Sequence, residues 1–214
     1  AMRLAVIGQN GSGKSSLLRS LLSEAPPRQW AVDVEGLSVL YRPDGGIIPC
    51  HKRGIGYLPQ GVSLFSHLDG LNNVALAAAP SIGWAESRRR AAELLASHGL
   101  ADTGTLKPPA LSAGQRQALG LLRTLNSDAR CLVLDEPMSA IDRLLGAHLF
   151  DGLHGALNAS QLPVLFSSHD PALVHRLAEW VLVLEDGRVA QSGPIKDIAM
   201  NPGSPFVERF FADH

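Results

Sequence analysis

Apolar residues along the chain alternate between short continuous runs and helical spacing. RLAVIG, residues 3–8, is an apolar run closed by glycine, and KSSLLRSLLSE, 14–24, places leucines at 17, 18, 21 and 22, the spacing of a helix with one buried face. The pattern predicts strand, loop, helix. APPRQ breaks the helix; WAVDVEG and LSVLYRPDGG then read as short strands with a turn, and GIGYLP as another. From about 61 to 126 no β-rich run occurs, LNNVALAAA and AESRRRAAELLASHGL have helical spacing, and 62–112 is expected to be a helical insertion. RCLVLDE, 130–136, and LPVLFSSHD, 162–170, are continuous apolar runs suited to buried parallel strands, separated by the helical stretch DRLLGAHLFDGLHGALN. EWVLVLEDGRVAQSG predicts a hairpin turning at Glu185, Asp186 and Gly187, and SPFVERFFADH a short helix with aromatics on one side. Alternating strand and helix predicts an α/β fold.

At 214 residues the chain is long enough for one large domain with a modest insertion. Lys and Arg total 19 against 20 for Asp and Glu, so no sequence-wide basic field advertises nucleic acid. Cys50 and Cys131 are the only cysteines, and Cys131 lies in an apolar run, which predicts a buried thiol and a reducing cytoplasm. No run of 18 or more apolar residues occurs and no signal-peptide pattern opens the chain, so a soluble protein is expected. The histidines at 51, 67, 98, 148, 154, 175 and 214 lack metal-ligand spacing and read as surface or packing residues. Arg88, Arg89 and Arg90 read as a solvated helix face.

Three stretches change the picture from fold to chemistry. GQNGSGKS fits the phosphate-loop pattern G-x-x-x-x-G-K-[ST] at Gly8, Gly13, Lys14 and Ser15, between a predicted strand and a predicted helix. In such a loop the backbone N–H groups, here of Asn10, Gly11, Ser12, Gly13 and the first helical residues through Ser16, curl around phosphate; the lysine reaches the β- and γ-phosphates and the serine hydroxyl reaches Mg²⁺. CLVLDEP puts Asp135 at the end of a buried strand, where it can hold Mg²⁺ through water, and Glu136 beside it, where it can face an attacking water. LSAGQRQ, 111–117, is a second helix start suited to an anion, at Ser112, Ala113 and Gly114.

GQNGSGKS, YLPQ at 57–60, LSAGQRQ, CLVLDEP, SAID at 139–142 and SSHD at 167–170, in that order and spacing, resemble the ATP-binding cassette family across almost the whole chain. The resemblance implies a phosphate-loop, RecA-like parallel-sheet core over 1–61 and 113–214, a helical subdomain over 62–112, and one ATPase domain over 1–214. It implies ATP and Mg²⁺ as cofactors and a head-to-tail dimer, expected to be a homodimer. Each nucleotide would then lie between the phosphate loop of one subunit and Ser112, Ala113, Gly114 and Gln115 of the other. By the same resemblance Gln60 coordinates Mg²⁺ or its water and senses a transmembrane partner, Asp142 organises the subunit junction, and His169 contacts the γ-phosphate. Glu136, His169, Gln60 and Lys14 are thus the expected catalytic residues, and Ser15, Gln60 and Asp135 the expected metal ligands.

LFSHLDGLNN, 64–73, resembles bacterial importers of small nutrients of the thiamine and molybdate type. This implies a transmembrane permease as partner, with a substrate-binding protein on the transport path, no nucleic acid, and a cytoplasmic place on the inner face of the cell membrane. Leu64, Phe65 and Leu68 are candidates for the permease contact and equally for packing inside the insertion. The alternative function is a soluble cassette ATPase acting on nucleic acid or ribosomes, which the near-neutral charge disfavours.

Three departures from the family pattern stand out. Ala113 replaces the usual middle glycine of the LSGGQ signature, which predicts weakened rather than abolished activity; Ala118 stands where many importer cassettes have arginine. The family's N-terminal antiparallel strand pair, with the aromatic residue on which adenine stacks, is missing ahead of RLAVIG. A fragment or truncated form of a longer protein is the favoured explanation, and a true start at Met2 without an adenine shelf the other.

Overall fold

The computed structural model describes residues 2–24, 26, 33–34, 37–38, 40–41, 45–62, 64–141 and 143–212. They group into two compact units, one of 1–55, 130–136 and 162–214, the other of 56–129 and 137–161.

In the first unit the apolar runs become strands: β1 (Arg3–Ile7), β5 (Cys131–Asp135), β6 (Val164–Ser167) and β7 (Trp180–Glu185), with β8 (Arg188–Pro194) returning from β7. Within this unit the strand order is β5-β6-β1-β7-β8. The first four strands are parallel and β8 is antiparallel to β7. All five residues of β5 are buried, as a parallel strand covered on both faces requires. Cys131 is among them. The register sets Asp135 opposite Ser167, and Ser167 opposite Val6. Everything that follows the carboxyl ends of β1, β5 and β6 therefore emerges along one edge, where open α/β sheets place their ligands.

Helix α1 (Lys14–Ser20) follows β1 and packs on β5 and β6. It stops four residues before the expected end, where Leu22 N–H and Ser23 N–H bond three residues back, to Arg19 O (3.0 Å) and Ser20 O (3.2 Å), instead of four. Arg53, 2% exposed, donates from Nη1 to Leu21 O (2.6 Å), from Nη2 to Ser23 O (2.8 Å) and from Nε to Ile48 O (2.8 Å). The guanidinium thus satisfies two carbonyls just beyond the helix end, which have no intrahelical partner. Arg53→Leu is expected to lower the unfolding free energy by about 2–4 kcal/mol, because carbonyls lose a charged donor inside the protein. The midpoint of urea unfolding checks it.

The expected strands near 31–50 are described only at β2 (Asp33–Val34) and β3 (Leu37–Ser38), an antiparallel pair; the rest of WAVDVEG and much of LSVLYRPDGG lie outside the described residues. The helices α7 (Pro171–Leu177), α8 (Ile195–Met200) and α9 (Pro205–Phe211) complete this unit. Of these the apolar pattern predicts only α9; α7 and α8 are marked instead by Asp170-Pro171 and Pro194 at their starts.

The second unit is helical. It contains most of β4 (Ile55–Leu58), α2 (Gly70–Ala75), α3 (Ala79–Ile82), α4 (Trp84–Ser97), α5 (Ala113–Leu125) and α6 (Arg143–Ser160). Val74 and Ala75 of α2, Ala91 and Leu95 of α4, Leu119 and Leu122 of α5 and Leu149 of α6 form one core. Ala118 is fully buried in it, so this departure from the family pattern is a packing residue. Arg89 lies on the solvated face of α4 between Glu86 (2.6 Å) and Glu93 (2.5 Å), while Arg88 turns to Asn72. Among the described residues no helix is long and apolar enough to cross a membrane.

Candidate functional site

Residues 8–13 form a loop between β1 and α1, with Ser12 N–H donating to Gln9 O (3.1 Å). Gly8 has a φ of 153°, and a Cβ there would stand 2.2 Å from Leu184 O, so only glycine lets the loop leave β1 beside β7. Asn10, Gly11 and Ser16 are exposed; Ser12 and Lys14 are buried. Lys14 Nζ donates to Gly8 O (2.7 Å) and Gln9 O (3.0 Å), arching over the loop it belongs to. Burial pushes its ammonium below the ordinary lysine range, and Glu136 and Asp135 act in the opposite sense by favouring the charge. The Lys14 ammonium is thus a cation held over the loop by two charge-assisted carbonyl contacts.

The acidic side of the site is built by β5 and β6. Asp135, with no exposed surface, accepts at Oδ1 from Ser15 Oγ (3.0 Å) and Ser167 Oγ (2.7 Å). Its Oδ2 is buried with no hydrogen-bond partner among the described residues. A buried carboxylate oxygen without a donor is costly and calls for an ion or an ordered water. A hydroxyl and a carboxylate side by side are hard oxygen donors, the kind Mg²⁺ takes, so Ser15 and Asp135 fit that ion.

Glu136 has a φ of 52°, a left-handed backbone that is uncommon for a residue with a side chain. Its N–H donates to Ser167 Oγ (2.9 Å), which helps to hold the turn. Such conformations cost on the order of 1–3 kcal/mol and gather at functional sites. The consequence here is that Asp135 and Glu136, adjacent in sequence, serve different neighbours: Asp135 faces Ser15, and Glu136 faces His169, with Nδ1 2.8 Å from Glu136 Oε2. A carboxylate there accepts from the ring N–H. The His169 side chain is 65% exposed against 10% for Glu136, so the pair joins solvent to the buried edge.

Ser167 is the site residue that the motif reading passed over. It bridges the two acids by donating to one side chain and accepting from the next backbone N–H. The signal was present as the first serine of SSHD, but its partner is set by strand register and not by neighbouring letters.

In the second unit Ser112 caps α5. Ser112 Oγ accepts from Gln115 N–H (3.1 Å) and Gln115 Oε1 accepts from Ser112 N–H (2.9 Å), a closed capping box. The Ser112 hydroxyl keeps its own proton to donate, whereas the Gln115 carbonyl is engaged. Ala113 is exposed as the first residue of the helix, and Gly114 is buried, with a Cβ there placed 3.0 Å from Ala140 O. Gln60 is exposed after the end of β4, and Asp142 lies outside the described residues. No cluster of three or more metal-ligating side chains occurs among the described residues.

The model of the ABC transporter family matches residues 1–139. The molybdenum import ATP-binding protein ModC of Rhizobium etli is 34% identical over 94% of this chain and 56% of its own length. The ferric-ion import ATP-binding protein FbpC of Streptomyces coelicolor is 36% identical over 97% of this chain and 58% of its own, and the methionine import ATP-binding protein MetN of Thermobifida fusca 36% over 97% and 64%. The chain thus spans less than two thirds of the length of these relatives. Among solved structures, an ATP-binding subunit of an ABC transporter superposes with a TM-score of 0.79 at 25% identity, covering 99% of this chain and 87% of that one. A dimeric post-hydrolysis ATP-binding cassette bound to ADP and Pi gives a TM-score of 0.76 at 24% identity over 91% and 85%, which shows the shared fold. From the family match and these relatives together, the chain belongs to the ABC transporter family.

Proposed function

We propose that this chain is the ATP-hydrolysing, nucleotide-binding subunit of a bacterial importer, acting over 1–214 as one ATPase domain with 62–112 as its helical subdomain. The observation that carries the reading is the hydrogen-bonded series Ser15, Asp135, Ser167, Glu136, His169 beside the arched Lys14. These residues fit the hydrolysis of a phosphoanhydride. The loop N–H groups from Asn10 to Ser16 and the Lys14 ammonium bind the phosphates, Lys14 exchanging its bonds to Gly8 O and Gln9 O for phosphate oxygens. Ser15 and Asp135 would hold Mg²⁺, which would neutralise negative charge on the phosphates. Glu136 accepts a proton from the water whose oxygen bonds to the γ-phosphorus as the bond to the β-phosphate oxygen breaks, giving ADP and phosphate. His169 orients Glu136 from the solvent side and contacts the γ-phosphate in turn.

The relatives named are import ATP-binding proteins, which favours transport over a soluble ATPase acting on nucleic acid or ribosomes. The proposed partners are a second cassette subunit, head to tail and expected to be identical, a permease on the inner face of the membrane, and a substrate-binding protein. Ser112, Ala113, Gly114 and Gln115 then complete the nucleotide site of the partner subunit, with Asp142 at the junction. Of the three apolar candidates for the permease contact, Leu64 packs on the helical core, Leu68 is half-buried, and Phe65 is 45% exposed with the Arg123 guanidinium 5.7 Å from its ring. Phe65 is therefore the proposed apolar anchor.

The test is sedimentation with Mg²⁺ and ATP. Glu136→Gln, which leaves the γ-phosphate in place to hold two subunits together, is expected to sediment as a dimer. The same chain with Ser112→Arg added is expected to bind ATP and stay a monomer, because arginine blocks the signature end without touching the phosphate loop. A Glu136→Gln chain that binds ATP and remains monomeric would overturn the head-to-tail arrangement.

A further inference from the structure

The phosphate loop is buttressed from outside by the turn between β7 and β8. The ladder of this hairpin shifts register between Val183 and Leu184, where β8 carries one extra residue, Ala190. Leu184 O lies where a side chain on Gly8 would be, and the Gly187 Cα is 3.8 Å from where a Cβ on Gly13 would stand. The tip is a tight turn through Asp186 (φ 48°) and Gly187 (φ 74°), the two left-handed residues that a type I′ turn requires. On its far side Ser204 Oγ donates to Glu185 Oε1, which ties the tip to the start of α9. At its near side Gly187 N–H donates to Ser12 O (3.2 Å).

That last bond has a geometric consequence inside the loop. A trans peptide is planar, so the Ser12 carbonyl and the Gly13 N–H point in opposite directions. Holding Ser12 O outward against Gly187 therefore turns the Gly13 N–H inward, toward the space arched over by Lys14. We propose that Gly187 is a positioning residue for nucleotide binding: its backbone N–H fixes the Ser12–Gly13 peptide so that Gly13 N–H is preset to donate to phosphate. The inference rests on the phosphate-binding role given to the loop under the proposed function, and adds the β7–β8 turn to the machinery of that site. The turn needs no contact with the nucleotide to do this.

The test exploits the two hairpin turns of two residues. Types I′ and II′ differ by reversal of the central peptide, and Gly-Asn favours II′ where Asn-Gly favours I′. Asp186→Gly together with Gly187→Asn is thus expected to keep the hairpin while turning the N–H of residue 187 away from Ser12, and Asp186→Asn keeps both hairpin and bond. Calorimetric titration of the full chain with MgADP should give the unmodified chain and Asp186→Asn the same Kd. The double substitution should weaken it by about 3- to 10-fold, the range of one lost hydrogen bond, with a melting temperature lowered by only about 2–4 °C. The amide proton resonance of Gly13, which moves when the unmodified chain takes up MgADP, should move less in the doubly substituted chain. In the unmodified chain the exposed Gly187 amide should also exchange with solvent more slowly than that of Asp186, a measurement that needs no variant. Equal Kd in all three chains, an unchanged Gly13 response, or unprotected exchange at Gly187 would each overturn the proposal. An unmodified chain that binds no MgADP would instead remove the phosphate-binding reading itself.

Discussion

Glu136→Gln is expected to reduce ATP hydrolysis by about 10²- to 10⁴-fold while leaving nucleotide binding intact, the range removed with a general base. The two halves of that expectation come from separate features. Glutamine keeps the size of the side chain and a carbonyl that can accept from His169 Nδ1, so the pair that joins solvent to the sheet edge survives. It cannot take a proton from water. Asp135, Ser15 and Lys14, the residues proposed to hold the phosphates and their cation, do not depend on the Glu136 side chain for their hydrogen bonds to one another or to the loop. Single-turnover phosphate release checks the rate, and calorimetry with MgATP checks the affinity. A variant that loses both equally would place Glu136 among the binding residues.

Lys14→Ala is expected to act on the opposite half, weakening MgATP by on the order of 100-fold or more. A charge-assisted hydrogen bond contributes about 1.5–3 kcal/mol, and the ammonium that now serves two loop carbonyls can serve two phosphate oxygens. Alanine also leaves Gly8 O and Gln9 O without their donor, so the empty loop loses its arch. Titration of the isolated chain reads the effect directly, because Lys14 needs no partner subunit. An unchanged Kd would mean that the nucleotide binds elsewhere.

Much of the fold was legible because its signals are local. The apolar runs ending at Gly8, Asp135 and Ser167 are β1, β5 and β6, and the turn at Asp186 and Gly187 follows from an Asp-Gly pair between alternating residues. The phosphate loop and the Asp135-Glu136 pair were equally plain, since each is a short motif at the end of one strand. What stayed hidden depends on residues far apart. The carbonyls that follow α1 are satisfied by Arg53, thirty or more positions on, a partner that no periodicity marks. Ser167 looks like any serine before a histidine until the register sets it against Asp135. Gln115 reads as a ligand by resemblance and is found closing a cap on Ser112. Leu64 and Phe65 are adjacent and both apolar; only packing shows that the first turns inward and the second outward.

The most direct test of the account is the identity of the nucleotide bound after incubation with Mg²⁺ and ATP, read by chromatography of the extracted ligand. The unmodified chain should yield ADP, Glu136→Gln should yield intact ATP, and Lys14→Ala should yield neither. Intact ATP from the unmodified chain after prolonged incubation, or ADP from Glu136→Gln at the unmodified rate, would contradict hydrolysis at this site.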